Sequence, residues 1–240
     1  KYSPEGLIIH NFGITSDTAK ISINSRQEIV NSPIDIDIDN FNLKSVSSIL
    51  NNDTVFVAGI LDAKMEVSDL NKKLPSFIGD FIVTGIAFME QPLGTLIASA
   101  KKQSDDNVSA YMTLSGNGNN ITAKGNYYLN NKEQQFDASA KINRLSMETL
   151  QGFSKGALKN STGNMNGDFS LNGKFADPRW QGNLNFDTTK FTITQLGTAF
   201  KIDKQKIVFD YPTVTFNNFT IRDSLDHKLK IEGSIAANKI

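Results

Sequence analysis

The side chains able to do chemistry in this chain are few, and each lacks the companions its chemistry requires. Asp35, Asp37 and Asp39 are spaced like the first ligands of a calcium loop. Such a loop also needs glycine at its sixth position and glutamate at its twelfth, and Asn40 and Val46 stand there. The aspartates therefore read as the charged outer face of a strand. His10 and His227 are the only histidines, and neither has a partner at metal-ligand spacing. Ser224, Asp226 and His227 have the residue types of a hydrolytic triad, but triads are assembled from distant segments. Ser99-Ala-Lys-Lys102 matches a Ser-x-x-Lys pattern without its companion motifs. Gly116-Asn-Gly118 lacks the third glycine of a dinucleotide fingerprint and reads as a turn. No enzyme, metal or cofactor is expected, so function must reside in a surface.

Composition narrows the surface. The 240 residues carry 25 basic and 25 acidic side chains. That balance gives no basic face for phosphates, so no nucleic-acid partner is expected. It also argues against electrostatic docking to an anionic membrane. Cysteine is absent, which removes disulfides, thiolate metal sites and cysteine nucleophiles together. No apolar run approaches the roughly 20 residues of a membrane helix. The polar opening Lys1-Tyr-Ser-Pro-Glu5 is no signal peptide. It starts in mid-pattern, as an excised piece of a longer protein would.

The elements that must build this surface alternate with period two. Ile34, Ile36 and Ile38 alternate with Asp35, Asp37 and Asp39; Val55, Val57, Leu61, Ala63, Met65 and Val67 share one parity. Met165, Phe169 and Leu171 do the same later, as do Leu229 and Ile231. Each run predicts a strand with one apolar and one wet face. Asn51-Asn52-Asp53, Ser115-Gly-Asn-Gly-Asn119 and Asn130-Asn131-Lys132 supply hairpin turns, which makes successive strands neighbours. Helical spacing interrupts twice, at Val46, Ile49 and Leu50 and at Met147, Leu150 and Phe153. Two short helices are expected there, plugging or capping a groove or lying along its rim.

The chain also repeats itself. Phe77-Ile-Gly-Asp-Phe81 recurs as Trp180-Gln-Gly-Asn-Leu184, and Gln91-Pro-Leu-Gly-Thr95 as Thr194-Gln-Leu-Gly-Thr198, about 103 residues on. Gly59 aligns with Gly163 and Pro75 with Pro178. The pattern divides the chain into a partial unit, 1–32, and two fuller units, 33–135 and 136–240, within one continuous body. Solenoid periods of about 20 residues and propeller periods of about 40 to 50 are absent. Aromatic girdles and uniform strands of about 10 residues, the marks of a membrane barrel, are also missing. The expectation is an all-β fold, an elongated and curved antiparallel sheet of roughly 16 to 20 strands at about 4.8 Å spacing. Its apolar parities either close into a sandwich core or line an open groove.

The segments Gly163-Asn-Met-Asn-Gly167, Leu171-Asn-Gly173, Asp177-Pro178 and Gly182-Asn-Leu184, followed by Leu196-Gly-Thr198 and Ile207-Val-Phe209, resemble the C-terminal region of the TamB family. This family comprises large subunits of the translocation and assembly module of Gram-negative envelopes. The resemblance extends over essentially the whole chain. It implies a taco-shaped sheet with an apolar interior, related to AsmA-like and bridge-like lipid transfer proteins. It implies a periplasmic location, an inner-membrane anchor outside this segment and an outer-membrane barrel protein as partner. It also implies phospholipid movement between the membranes.

The groove-lining candidates are Ile34, Ile36, Ile38, Val55, Val57, Leu61, Met65, Val67, Phe81, Val83, Phe136, Met165, Phe169, Leu171, Leu184, Phe186, Leu229 and Ile231. The expected occupant is phospholipid, or detergent in its place. A different class of function is a chaperone or scaffold for barrel-protein assembly, acting by β-augmentation at a sheet edge. A third is an adhesin or structural stalk with a closed, dry core.

Overall fold

A computed structural model describes residues 2–3, 6–16, 18–45, 56–102 and 104–236. Strands β1 (Tyr2–Ser3) and β2 (Gly6–Leu7) form a separate two-stranded ribbon. The others make one antiparallel 15-stranded sheet. They are β3 (Phe12–Ser16), β4 (Ala19–Ser25), β5 (Ile34–Asn42), β6 (Val57–Ser68), β7 (Ser76–Phe88), β8 (Gln91–Lys102), β9 (Asn107–Gly116) and β10 (Asn119–Tyr128). The second half continues with β11 (Phe136–Ser146), helix α1 (Met147–Phe153), β12 (Leu158–Lys174), β13 (Asp177–Ile193), β14 (Thr198–Ile202), β15 (Lys206–Asp210), β16 (Thr213–Asp223) and β17 (Lys228–Ala236).

The topology is a simple meander, because β14 and β15 are two halves of one interrupted strand. Thr189 stands opposite Ile202 and Asn185 opposite Lys206, in one continuous register. Between them the Phe186 N–H donates to the Gln205 carbonyl at 2.8 Å. On the far side β16 pairs with both halves. Tight turns fix the neighbours. Between β9 and β10, Asn117 and Gly118 take φ of 47° and 78°, as a two-residue type I′ hairpin requires. At about 4.8 Å per strand the sheet runs roughly 65 Å from β3 to β17.

The sheet does not close on itself; its strand path ends at β3 on one side and β17 on the other. The surface area agrees. The chain exposes 15074 Å², whereas a compact protein of 26.4 kDa exposes about 10,600 Å².

A cluster of buried residues forms at the α1 rim. Met147, Thr149, Ser161, Met165 and Thr189 are buried where α1 packs on β12 and β13, and Ile202, opposite Thr189, and Phe219, against Phe186, are buried beside them. A seven-residue helix is too short to persist alone, and side chains pin it. The Ser146 hydroxyl caps it by accepting the Thr149 N–H at 3.1 Å. Asn119 accepts from the Ser146 N–H and the Thr149 hydroxyl, and donates to the Leu93 carbonyl at 3.1 Å. Phe153 meets Phe88 at 5.9 Å between ring centroids. So α1 lies along a rim, tied to β8, β10 and β11 as well as β12. The earlier helix expected around Val46, Ile49 and Leu50 lies outside the described residues, as does the turn at 51–53; Lys44 and Ser45 are helical.

The strands bend near that rim through bulges set at matching places in the two halves. The pairings slip between Ile38 and Phe41 and between Ile142 and Leu145. They slip again between Ala58 and Ile60 and between Thr162 and Asn164. The aligned glycines Gly59 and Gly163 occupy the second pair of bulges with φ of 137° and 98°. A Cβ at Gly163 would stand 2.4 Å from the Thr188 carbonyl oxygen. Bulges increase local twist and turn the strand, which curls the sheet over α1. Gly163→Ala is therefore expected to cost about 1–3 kcal/mol in urea unfolding. Gly13→Ala, where the nearest atom is 3.5 Å away, should change stability by less than about 0.5 kcal/mol.

Candidate functional site

Register aligns one apolar ladder across the whole sheet. Ile14, Ile21, Ile38, Ala63, Phe81, Ala98, Met112 and Ala123 stand opposite one another in successive pairings from β3 to β10. Ala140, Phe169, Gly182, Phe209, Val214 and Ile235 continue the ladder to β17. No polar side chain interrupts it from edge to edge. Parallel ladders on either side carry Ile36, Met65, Leu171 and Trp180, and Leu61, Leu184, Ile207 and Phe216.

Most of this face is half-buried. Leu171 is 39% exposed, and exposure rises at the two edge strands, to 51% for Phe12 and 59% for Leu229. Ile36, Ile38, Val57, Leu61, Met65, Val67, Phe81, Phe136, Phe169, Leu184, Phe186 and Ile231 share the face at intermediate burial. Ile34, Val83 and Met165 share it too, but are buried, Met165 to 1%. They support the wall instead of lining it; α1 packs on the strand that carries Met165. Val55 lies outside the described residues.

Sequence patterning missed several wall residues. Phe77, Met112, Trp180 and Phe209 have the same parity as residues it found. Trp180 and Phe169 each meet Phe209, at 6.1 and 5.2 Å between ring centroids. Small residues pave the middle of the face. Ala100, Ala110, Gly125 and Ala138 stand opposite one another from β8 to β11, leaving width where aromatic groups would fill it.

Charge is sparse on this face: Asp223 stands opposite Phe200 at one end, and a lysine lies at the rim away from α1. Lys102, opposite Val108, is the sequel to the Ser-x-x-Lys pattern. Ser99 points to the other face, opposite Tyr111, so the two cannot act together. The Lys102 side chain is 2% exposed. Its ammonium donates to the Leu74 carbonyl at 2.7 Å and to Asp105 Oδ1 at 3.1 Å. Lys72 joins Asp69 and Asp105, each at 3.3 Å. Lys102 thus ties the loops after β6 and β8 together at the rim opposite α1. Its hydrogen bond, followed by that from Lys72, holds the Asp105 carboxyl below its ordinary value.

The remaining reactive candidates resolve as surface pairs. Arg26 bridges Asp35 and Glu66, at 2.9 Å each, on the polar face. Among the described residues no cluster of His, Asp or Glu could hold a metal ion. His227 Nδ1 meets Asp223 Oδ2 at 2.9 Å, while Arg222 takes Asp226. Asp223 is lowered chiefly by its hydrogen bond with His227.

Lys102→Met should loosen the rim, raising amide hydrogen exchange in residues 70–75 and 104–106 roughly tenfold with the rest of the sheet unchanged. Acid should act in the same direction. A carboxyl whose folded pKa is depressed stabilises fully above its unfolded value and loses that contribution as pH falls through the folded one. Exchange at this rim should therefore rise below about pH 4.

The chain matches no protein-family model, no curated protein and no solved structure.

Proposed function

We propose that this protein is a lipid carrier whose apolar face conducts acyl chains along the sheet. The observation that carries the reading is the unbroken apolar ladder from Ile14 to Ile235, left partly open along its length. A 16-carbon chain in water costs roughly 12 kcal/mol at about 0.8 kcal/mol per methylene. A continuous wall of Ile, Leu, Val, Phe and Ala removes most of that cost, while the head group stays in water at the open seam. The ladder from Ile14 to Ile235 carries no charged side chain, and the Lys102 ammonium beside it is already engaged by Leu74 and Asp105. A sliding chain therefore meets no deep trap. Phospholipid as cargo, a periplasmic location, an inner-membrane anchor outside this segment and an outer-membrane barrel partner belong to this proposal through the resemblance to the TamB family.

A second reading, a scaffold for barrel-protein assembly, is favoured by the edges. Strands β3 and β17 terminate the sheet, and exposed apolar side chains such as Phe12 and Ile235 flank their outer backbone. A client strand could extend the sheet there.

Organic extraction of the purified protein, followed by mass spectrometry, should recover acyl lipid. Photocrosslinkers at Leu61 and Leu171 should capture lipid in cells, and one at Lys64 on the opposite face should not. Recovery of lipid only at Lys64, or at no position, refutes the conducting groove. Leu171→Asp should lower lipid capture at least about tenfold with the sheet intact, because that side chain is already partly in water. Protein crosslinks confined to Phe12 and Ile235 would instead select the scaffold.

A further inference from the structure

Cross-strand pairing gathers cations at the β17 end of the sheet. Lys190 stands opposite Lys201, Lys201 opposite Arg222, and Arg222 opposite Lys228. The row crosses β13, β14, β16 and β17 on the polar face, over roughly 14 Å at about 4.8 Å per strand. Like charges set directly opposite one another destabilise a sheet, so the row does not serve the fold. Carboxylates answer it only in part. Asp203 takes Lys201 at 2.8 Å and Asp226 takes Arg222 at 2.9 Å. Lys190 and Lys228 are exposed and have no ion-pair partner among the described residues. The neighbouring rungs add exposed Lys159 and Lys230, with Asp187 and, one rung further, Glu232. This end is therefore positive although the whole chain is neutral.

The hairpins that join these strands carry a second feature. The β13–β14 and β16–β17 turns both lie at the α1 rim, and each displays a leucine. Leu225 is 75% exposed and Leu196 63%. Side chains pin both turns. Asp223 Oδ1 accepts the N–H groups of Leu225 and His227, each at 2.9 Å. The Thr194 hydroxyl donates to the Gly156 carbonyl at 2.6 Å, which fastens the loop bearing exposed Lys155 beside Leu196. Arg222 and Lys228 lie three residues to either side of Leu225. Phe175, as exposed as Leu196 but at the opposite rim, is engaged instead: it stacks on Phe136 at 4.8 Å between ring centroids.

We propose that this rim docks on a membrane surface bearing anionic phospholipid, with Leu196 and Leu225 at the headgroup–acyl boundary and the cation row against headgroup phosphates. The two features select that surface together. An anionic headgroup layer attracts clustered cations, and the boundary beneath it buries apolar tips. A nucleic acid or polyphosphate supplies the charge but no apolar layer for the leucines. Lysine and arginine stems can lie along an apolar boundary while their heads stay in water. The cation row and the two tips, about 10 Å apart, both run across the strands, so a flat surface set obliquely to the rim touches both. Overall neutrality does not oppose this, because screening limits the attraction to charges within roughly 8 Å of the surface. The other face of these strands carries Phe191, Phe200, Ile221 and Leu229, so docking brings the apolar wall to the bilayer. The docking groups are not wall groups, and the proposal stands or falls separately from the carrier reading.

Flotation of the 240-residue chain with vesicles tests it. Binding is expected to vesicles of phosphatidylglycerol and phosphatidylcholine, and at least about tenfold weaker binding to phosphatidylcholine alone. Added salt should weaken the binding to anionic vesicles. Lys190→Glu with Lys228→Glu should weaken it at least about twentyfold, at about fivefold for each cation removed. Leu196→Ser with Leu225→Ser should weaken it about tenfold at an unchanged thermal midpoint. Lys64→Glu, on the polar face of β6, and Leu171→Asp, in the wall, should leave it unchanged. Absence of binding to anionic vesicles, or equal binding to both kinds, overturns the proposal. Indifference to the leucine substitutions marks a site for soluble polyanions and also overturns it. So does an equal loss with Lys64→Glu or with Leu171→Asp, which would place the contact elsewhere.

Discussion

Everything in this molecule depends on the register of antiparallel pairing. In a sheet, side chains alternate faces, and a slip of one residue moves a whole strand's apolar set to the other side. From β3 to β17 each pairing preserves the parity of the last. Ile14 and Ile235 thus end on the same face although a dozen strands separate them. Turns such as Asn117-Gly118 fix each register locally, so the long-range order is a sum of short-range decisions. The same constraint creates the second face. When Ile38, Ala63 and Phe81 turn one way, Asp37, Lys64 and Asp80 must turn the other.

Two opposing tendencies shape the sheet. Burial of apolar area favours closing the face on itself, and bulges near the α1 rim bend the strands far enough to do so there. Met147, Met165, Ile202 and Phe219 are the result. Elsewhere the wall of the described residues stays half-exposed, and the small side chains of β8 to β11 do not fill it. The outcome, among the described residues, is a sheet covered beside α1 and half-exposed along its length. Two buried polar groups on the apolar face are tied, Asn119 under α1 and Lys102 at the far rim.

Much of the fold was legible because its rule is local. Alternation at Ile34–Asp39 and at Leu229–Ile231 specified strands, hairpin residues specified neighbours, and the spacing of Met147, Leu150 and Phe153 specified α1. The depth of each wall residue was not legible. Val83 and Leu61 sit opposite each other and look alike in sequence, yet only Val83 is buried. Lys102 was read against Ser99 because the two are close along the chain. Its partners are Asp105, equally near along the chain, and the Leu74 carbonyl 28 residues back, and pairing puts Ser99 on the other face.

The sequence by itself determined that the chain is all-β and that its strands are two-faced, because side-chain period and residue type are properties of short segments. Among the described residues, the tertiary structure decided how far the apolar face is covered and which groups lie on its surface. Those depend on curvature, which arises from bulges and from what packs, or fails to pack, against the sheet. Such contacts join residues far apart in the chain, and no local pattern records them.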